Sequence, residues 1–480
     1  MPSLSSLGVG SGLDAETIVT QLVAIEKKPA TDLTTLNSKL ETKVSTWGKI
    51  QSNFSALQDA ATKLMDASFW NATKGTSSDD SAVTISTSSR AAPGVYAVNV
   101  SRLAKEQYIA SRAFTTKSDV VGEGTLRIEL GTYVTDNTVS PPAVTFNAKA
   151  AATAVDIPIG PADNTLEKIR DRINSANAGI TASIVNDASG SRLVMRGQSG
   201  EENAFRVSVT ESGSPGLATL AYDASTGATS NMTHGQSAQN ASATINGLTV
   251  SSSTNTLNDV LDGVTLQLKK SPVTDVNLVV SQDSDSITKG VNDFISSYNS
   301  VVSTIRVQTL YDEASKTAGP LQGDATARGL LSQVRSLIGS SSTASSVFGR
   351  LSDVGIDINK DGTLSMKSAK FSDAMKNPAE LQKLFATSDD VDTNRNGLAQ
   401  RIRNLTKELL GTDGAINSRT EGIKGTIERN KDQIERIDKR ASLVESRLRA
   451  QYTALDASMA KLNGLSSYVT AQLAALNKSS

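Results

Sequence analysis

Seven-residue apolar repeats near both ends of this 480-residue chain constrain its fold more than any other feature. Alternate steps of three and four residues connect mostly apolar side chains from Leu33 to Leu64, and again from Ile423 to Leu476. Such a repeat places a narrow apolar stripe along a helix, and the stripe is stable in water only when it packs against other helices. The repeats therefore predict long terminal helices that associate.

Particular residues are predicted to form these stripes. The predicted N-terminal stripe consists of Ile18, Leu22, Ile25, Leu33, Leu36 and Leu40. The predicted C-terminal stripe consists of Ile434, Ile437, Val444, Leu448, Leu455, Leu462 and Val469. The periodicity is compatible with contact between the two stripes, with a second copy of the chain or with another protein. A C-terminal stripe that is exposed before assembly is also an aggregation hazard.

Capping and helix-breaking residues set the expected helix bounds. Asp14 is a candidate N-cap for the first helix, and Pro29 is expected to interrupt it. A second helix is expected over residues 31–65. No Gly or Pro lies between Gly425 and Gly464, so the sequence predicts one long rod-like helix there.

Between the helical ends, the hydrophobic period changes to the alternation that is typical of strands. Short strands are predicted over about 83–281, with one helix at Leu166–Ala176. Hairpins are predicted around 186–190 and around Asn246-Gly247, because these residues tolerate left-handed backbone angles. The Ser/Gly/Asn-rich stretch 212–242 is predicted to be a loop or an inter-domain connection.

Composition and charge argue against several classes of protein. Aromatic residues make up 4% and apolar residues 38% of the chain, which suits small β-domains and helices better than a large enzyme core. The net charge is -1 and no Lys or Arg occurs between Arg206 and Lys269, so no nucleic-acid partner is expected. No apolar run is long enough to span a membrane, so no membrane insertion is expected.

The cysteine content and the N-terminal residues give information about the chemistry available to the protein and its route out of the cell. The chain has no cysteine, which excludes disulfides, thiolate metal sites and cysteine nucleophiles. Residues 1–12 lack the basic and apolar regions of a signal peptide. We therefore expect that, if the protein is secreted, it leaves without a cleaved signal peptide.

The strings that resemble metal or catalytic sites have simpler structural interpretations. Asp357–Gly362 matches the first half of a calcium-binding loop, but Ser368 stands where the bidentate Glu is needed, so a hairpin is predicted. Asp392–Gly397 fails similarly, because Arg403 occupies that position. His234, the single histidine, lies in a polar stretch, and the chain has no G-x-S-x-G motif. We expect no enzyme activity, no cofactor and no metal.

Several motifs together resemble one known family. Leu7–Asp14, followed by the apolar residues of the first helix, is similar to the start of flagellar filament cap proteins, also called hook-associated protein 2. Further motifs of that family follow in the same order: Pro93–Tyr96, Tyr298-Asn299, Leu321–Asp324, Asp361–Leu364 and 451–469. The resemblance spans nearly the whole chain and is weakest over about 116–242.

The resemblance implies an α+β multidomain fold, in which discontinuous terminal α-helical coiled-coil and helix-bundle domains flank two inserted β-rich domains. The implied domains are a helical leg (1–40 with 441–480), a helical bundle with a small hairpin near 355–365 (41–77 with 282–440), one β-rich domain (78–115 with 240–281) and an outer β-rich domain (116–239).

The resemblance also implies a function. It implies a structural cap at the distal tip of the bacterial flagellar filament, which promotes the folding and insertion of exported flagellin and prevents its loss. The implied partners are flagellin, further copies of the chain in a ring- or plate-like oligomer (a pentamer), the hook–filament junction protein and an export chaperone that binds the C-terminal helix. The implied location is extracellular, after type III export.

A second class of function stays open on the residues alone. An extracellular adhesin or glycan-binding module on a flagellar axial scaffold would use exposed Ser, Thr and Asn side chains to hydrogen-bond sugars. The β-rich region has few aromatic residues for sugar stacking, and most of these are expected in the core. Flagellin and the junction protein share terminal helices of this kind, but the motifs around Pro93 and Asp324 favour the cap.

Overall fold

The computed structural model describes residues 14–314 and 316–478, and the chain divides into two compact units. Unit 1 contains Met1–Trp70 and Asp285–Ser480, and unit 2 contains Asn71–Ser284. Unit 1 is mainly helical and unit 2 is mainly β-sheet, so the expected class of terminal helices around a β-rich centre is confirmed. The bounds of the four expected domains stay a prediction. Of the N-terminal motif, Leu7 to Leu13 lie outside the described residues.

Nine α-helices lie within the described residues. They are α1 Ala15–Met65, α2 Ala67–Trp70, α3 Leu166–Ser175, α4 Ser284–Thr309, α5 Ala325–Gly339, α6 Ser368–Ala374, α7 Pro378–Ala386, α8 Leu398–Leu410 and α9 Ala415–Lys478. With 51 and 64 residues, α1 and α9 are far longer than the others. The rod-like helix predicted between Gly425 and Gly464 is therefore confirmed, and it extends beyond both glycines.

Twenty strands accompany the helices in the described part of the chain. They are β1 Thr73–Ser77, β2 Val83–Thr87, β3 Gly94–Arg102, β4 Glu106–Ala110, β5 Gly124–Asp136, β6 Ala143–Ala148, β7 Val155–Ile159, β8 Thr181–Asp187, β9 Gly190–Ser199, β10 Ala204–Glu211, β11 Thr233–Gln236, β12 Ala241–Ile245, β13 Leu248–Ser252, β14 Thr256–Leu261, β15 Val264–Leu268, β16 Val273–Gln282, β17 Tyr311–Asp312, β18 Thr317–Ala318, β19 Ile356–Ile358 and β20 Leu364–Met366. None of the described helices has the length and apolar character that a membrane span requires.

The first helix continues through its proline. Asp14 caps α1 as predicted, since its Oδ1 accepts a hydrogen bond from the Thr17 amide at 3.1 Å. The expectation that Pro29 interrupts the helix is wrong, because α1 runs unbroken to Met65. Proline removes one backbone hydrogen bond. The Pro29 ring is exposed, and the packing of α1 on α9 along one face outweighs this local cost.

The second half of α1 forms the core of unit 1. Its apolar stripe is fully buried, as the repeat predicts: Trp47, Ile50, Phe54, Leu57, Ala61 and Leu64. Helix α1 also contacts α7 and α8. Trp70 of α2 stacks on Phe385 of α7, with 5.4 Å between the ring centroids, and its Nε1 donates to the Leu64 carbonyl at 2.7 Å.

A buried carboxylate joins α5 to α9. The Oδ1 of Asp324 accepts hydrogen bonds from the amides of Thr326 and Ala327, which caps α5. Its Oδ2 pairs with the Arg419 guanidinium through Nε at 3.1 Å and Nη2 at 2.9 Å. The Asp324 side chain is only 4% exposed, whereas the Arg419 side chain is 44% exposed, so the carboxylate is buried and the guanidinium stays partly in water. This accounts physically for an aspartate at the end of the motif Leu321–Asp324.

Unit 2 contains two separate hydrophobic cores. The first core lies among the five-stranded sheet β1-β16-β3-β12-β13 and the three-stranded sheet β14-β15-β2. The second core lies among α3 and two four-stranded sheets, one of β10-β5-β6 with β7 on β5 and one of β11-β4-β9-β8. The stretch 212–242, expected to be a loop or an inter-domain connection, has little regular structure, but it contains β11, and its residues Leu217, Leu220 and Met232 are buried in the second core. Scattered apolar residues between glycines and serines gave no periodic signal there.

The predicted hairpins are confirmed. Strands β8 and β9 pair from Thr181↔Arg196 to Asp187↔Gly190. Strands β12 and β13 meet at Asn246 and Gly247, whose φ angles of 49° and 84° are left-handed. The calcium-like string forms the hairpin β19–β20, in which Asp361 Oδ1 accepts from the Thr363 amide and hydroxyl and closes the turn.

We expect Asp324→Ala to destabilise unit 1 by ~1–3 kcal/mol, because it removes a helix cap and the charge-assisted hydrogen bonds to the partly exposed Arg419 guanidinium. Urea unfolding followed by circular dichroism measures the change. Glu421→Ala, which removes an exposed carboxylate from α9, is the control and should change stability by less than ~0.5 kcal/mol. Equal stability of the two variants would contradict the assigned role of Asp324.

Candidate assembly surface

Helices α1 and α9 pair side by side in antiparallel orientation. Polar contacts mark the register along the pair: Glu16 with Arg449, Glu26 with Arg440, Asn37 with Asn430 and Gln51 with Asn417. Partner numbers rise along α1 as they fall along α9, which defines the antiparallel arrangement. The terminal repeats therefore meet within one chain over most of α1.

The apolar contacts between the two helices use a face of α1 next to the predicted one. Val19, Val23 and Ala441 form a buried cluster, and Leu448 and Tyr452 pack against it. Leu22 and Ile25 lie outside this cluster, with 41% and 68% of their surface exposed. Small apolar residues therefore make the closest helix contact, while larger ones beside them face solvent.

The structure places the remaining predicted stripe residues in two groups. Half-buried positions near the helix pair are Ile18, Leu33, Leu40, Ile434, Ile437, Val444 and Leu448. Exposed positions are Leu36, Leu455, Leu462 and Val469. The use of either group in assembly stays a prediction.

Several contact residues of α1 and α9 were not predicted from the sequence. Ala15, Val19, Val23, Ala30 and Asn37 are buried on α1, and Tyr452 covers the end of the cluster. Steps of three and four from Ala15 pass through these α1 positions. A helical repeat is therefore present at these positions, but it consists of alanine, valine and asparagine. The larger leucines and isoleucines beside it form a more apolar repeat, which the prediction followed.

The end of α9 extends past the described start of α1. Arg449 pairs with Glu16 near that start, and α9 continues from Tyr452 to Lys478, or ~39 Å at 1.5 Å per residue. Large apolar side chains on this extension are exposed: Leu455, Leu462, Leu465, Tyr468, Val469 and Leu473. The sequence from Leu462 to Asn477 contains no charged residue. An exposed, uncharged apolar stripe of this length is typical of an association surface.

An ion pair fixes the helix pair next to this extension. The Arg449 guanidinium donates to both Glu16 carboxylate oxygens at 2.7 Å, and also to Glu445 at 2.9 Å. The hydrogen bond from Arg449 lowers the pKa of Glu16, and the same contacts raise the pKa of Arg449. The pair is therefore charged at neutral pH and orients the first turn of α1 on α9.

Comparison with known families and proteins shows which family this sequence belongs to. The family model for the flagellar hook-associated protein 2 N-terminus matches residues 11–107, and the model for its C-terminus matches residues 238–464. The flagellin hook IN motif matches residues 143–198. Flagellar hook-associated protein 2 of Escherichia coli K12 is 32% identical over 484 residues, which cover 98% of each chain. The chain belongs to the flagellar hook-associated protein 2 family.

Other comparisons agree with membership of the flagellar hook-associated protein 2 family. The Salmonella typhimurium protein of that name is 31% identical over 489 residues, which cover 100% of both chains. A crystal structure of the D1-D2-D3 domains of the Escherichia coli flagellar cap protein FliD aligns with a TM-score of 0.63 and 28% identity. That alignment covers 79% of this chain and 99% of the other. The family is one of structural flagellar proteins rather than enzymes, which confirms both the resemblance and the non-enzymatic class.

For this hook-associated protein 2 family member, we expect Val19→Asp to detach the start of α1 from α9. A carboxylate at this fully buried position would cost ~2–4 kcal/mol of local pairing free energy. Limited proteolysis should then cleave the N-terminal part of α1 faster. Leu22→Asp introduces the same charge one turn away at an exposed position and should leave the cleavage rate unchanged. Equal cleavage rates of the two variants would contradict the assignment of Val19, rather than Leu22, to the contact with α9.

The Glu16–Arg449 pair should give a pH-dependent contribution to stability. The folded-state pKa of Glu16 lies below its ordinary value of 4.5, so the contribution is present above pH ~4.5 and is lost as the pH falls through the lowered pKa. We expect the melting temperature of the parent protein to exceed that of Glu16→Gln at pH 6, and this difference to shrink toward pH 3. When both proteins also carry Arg449→Gln, the difference in melting temperature caused by Glu16→Gln should no longer depend on pH. A constant difference from pH 6 to pH 3 would exclude this ion pair as its source.

Proposed function

We propose that this protein caps the distal end of the bacterial flagellar filament, promotes the folding and insertion of exported flagellin subunits and prevents their loss. The observation that carries the proposal is the exposed apolar stripe on the extension of α9, which contains Leu462, Leu465 and Val469. The similarity to the Escherichia coli flagellar cap protein supports it.

The physical properties of the extension suit contact with an incompletely folded protein. Its exposed side chains are apolar and, from Leu462 to Asn477, uncharged, so they can cover an apolar helix face without burying an unpaired charge. The extension continues a helix that is fixed at its other end by α1 and by the Asp324–Arg419 pair. The proposed cap thus presents an adaptable apolar surface on a rod anchored in a packed unit.

The proposal includes four partners and a location. Flagellin would contact the extension of α9, and further copies of the chain would form a ring- or plate-like oligomer, for which we propose a pentamer. The hook–filament junction protein would receive the cap before filament growth starts. An export chaperone would cover the C-terminal stripe before assembly, because an exposed apolar helix promotes aggregation. We propose an extracellular location at the flagellum tip, reached by type III export without a cleaved signal peptide.

The domain division that accompanies this proposal is the one expected from the sequence. The leg would comprise residues 1–40 with 441–480, which include the extension, and the helical bundle residues 41–77 with 282–440. The β-rich domains would comprise residues 78–115 with 240–281 and residues 116–239. The two separate cores of unit 2 support a division into two β-rich domains, but Ile109 and Phe114 belong to the second core, which argues for a boundary before β4 rather than at residue 115. The adhesin alternative, in which the β-rich domains carry the main function, is not favoured by the family comparisons.

We expect the double substitution Leu462→Asp with Val469→Asp to abolish filament growth without unfolding the protein, because both side chains are exposed. The assay returns the purified variant to host cells that lack this protein, and measures filament length by electron microscopy and free flagellin in the medium. The parent protein should restore filaments, whereas the variant should leave monomeric flagellin in the medium.

A matched control separates the stripe from a general effect of charge. Ala460→Asp with Ser467→Asp adds the same charge at the same seven-residue spacing, on the opposite side of α9. This control should restore filaments. Normal filaments with the stripe variant, at unchanged melting temperature, would overturn the role of the extension. Normal filaments in cells that lack the protein altogether would overturn the cap function itself.

A further inference from the structure

Two short chain segments join the two β-rich domains of unit 2. The inner domain surrounds the first core and contains β1–β3 and β12–β16, and the outer domain surrounds the second core and contains α3 and β4–β11. The chain leaves the inner domain through residues 103–105 and returns through residues 237–240. Within the part of the chain that the structure describes, no buried apolar residue belongs to both cores. The angle between the two domains is therefore not fixed by a shared apolar core.

The two connecting segments are hydrogen-bonded to each other. The Lys105 amide donates to the Gln239 carbonyl at 2.9 Å, and the Gln239 amide donates to the Lys105 carbonyl at 3.1 Å. The side chain of Gln239 adds a third bond, from its Nε2 to the Leu103 carbonyl at 2.7 Å. The Gly200 amide of the outer domain also donates to the Lys105 carbonyl, at 3.2 Å. The segments therefore form one unit to which the outer domain is bonded.

One asparagine of the inner domain holds the outgoing segment. The Oδ1 of Asn255 accepts from the Ala104 amide at 2.7 Å, and its Nδ2 donates to the Ala104 carbonyl at 3.0 Å. This side chain thus satisfies both backbone groups of Ala104, as a neighbouring strand would. The Asn255 backbone is itself fixed, because its carbonyl accepts from the amide of Leu268, a residue of the first core, at 2.8 Å. A single side chain therefore attaches the segment to the inner domain.

The direct contact between the two domains is close and polar. Ser199 Oγ of the outer domain donates to the Ser253 carbonyl of the inner domain at 2.8 Å. Gly200 has a φ of 103°, and a Cβ there would lie only 2.5 Å from the Ser253 Cβ, so the approach requires glycine. The next residue, Glu201, donates its amide to Asn240 Oδ1 at 3.0 Å. The outer domain is thus bonded both to the inner domain and to the returning segment.

We propose that these contacts form an interdomain clamp that sets the angle between the two β-rich domains, and that the outer domain rotates about the two segments when the clamp opens. Hydrogen bonds are directional, so several bonds from different sides select one angle. Water can replace each of them at modest cost, so the clamp opens while both cores stay folded. Domains that share only a small polar interface otherwise move relative to each other. Asn255 and Gln239 are the positioning residues, and their role does not depend on filament capping.

Distance measurements in the full-length protein test the clamp. The chain has no cysteine, so Ser86→Cys on β2 and Ser183→Cys on β8 place one spin label on an exposed strand position of each domain. Double electron–electron resonance then measures the distribution of distances between the labels. We expect one narrow distribution in the otherwise unchanged protein. Asn255→Ala with Gln239→Ala should broaden it about twofold, because this double substitution removes all three side-chain bonds to residues 103 and 104.

A matched control separates the clamp from a general effect of losing an amide. The Nδ2 of Asn231 donates to the Ala218 carbonyl at 2.8 Å within the outer domain, so Asn231→Ala should leave the distance distribution unchanged. Thermal melting followed by circular dichroism checks that every variant is folded. The proposal is overturned if the double variant keeps the narrow distribution, or if Asn231→Ala broadens it equally.

Trypsin cleavage after Lys105 provides a second measurement without labels. Lys105 is exposed, but its amide and carbonyl are both hydrogen-bonded in the clamp, so the protease can bind this segment only after the clamp has opened. We expect the double variant to be cleaved at this position about tenfold faster than the parent, since three side-chain hydrogen bonds no longer oppose opening. Equal cleavage rates of folded parent and folded double variant would overturn the proposal.

Discussion

The pairing of α1 with α9 is the contact on which the helical unit depends. These two helices come from opposite ends of the chain, and neither has an apolar face that is stable alone in water. Their contact holds the start of α1 in place, and it supports the part of α9 that continues beyond it. Without that support, the extension of α9 would be an isolated helix of modest intrinsic stability.

Polar side chains give this pairing its register. Apolar contacts are not directional, and a seven-residue repeat could slide by one heptad and still bury similar area. The hydrogen bond between Asn37 and Asn430 at 2.8 Å, and the two-pronged contact of Arg449 with Glu16, are satisfied only in the observed alignment. Asn37 is 6% exposed, so a shifted register would leave a buried amide unpaired. The length of α9 that extends past α1 is therefore set by these few polar groups.

Much of this arrangement could be predicted from local sequence signals, and the exceptions have physical causes. The stripe from Trp47 to Leu64 was predictable because large apolar residues repeat without interruption. Apolar size alone predicts Leu22, rather than Val19, as the contact residue. The two helices approach closely at Ala441, and this close packing leaves room only for smaller side chains such as Val19. Pro29 was misleading because a helix packed along its whole length tolerates one missing hydrogen bond.

A cavity of about 470 Å³ in unit 2 had no comparable signal in the sequence. Thr135, Glu201 and His234 are distant in sequence, and they meet only because β5 and β11 belong to two sheets that share one core. The aromatic residues of this region were expected in the core. Phe205 and Tyr222 are buried there, and Tyr133 is half-buried beside the cavity. Tertiary topology, rather than any periodic pattern, creates such a cavity.

The ends of unit 2 lie beside each other, because the first strand, β1, pairs with the last, β16, from Thr73↔Gln282 to Ser77↔Leu278. Once β1 and β16 have paired, the end of the chain that follows α1 and the end that precedes α4 are held close together, although about two hundred residues lie between them in sequence. The entropy cost of closing a chain grows with the length of the loop, so early folding of the insertion would shorten the loop that the helices must close. The same geometry makes the β-rich insertion a tolerant position in evolution. Its loops and even whole domains can change in size without altering the spacing at which the chain leaves and re-enters the helical unit.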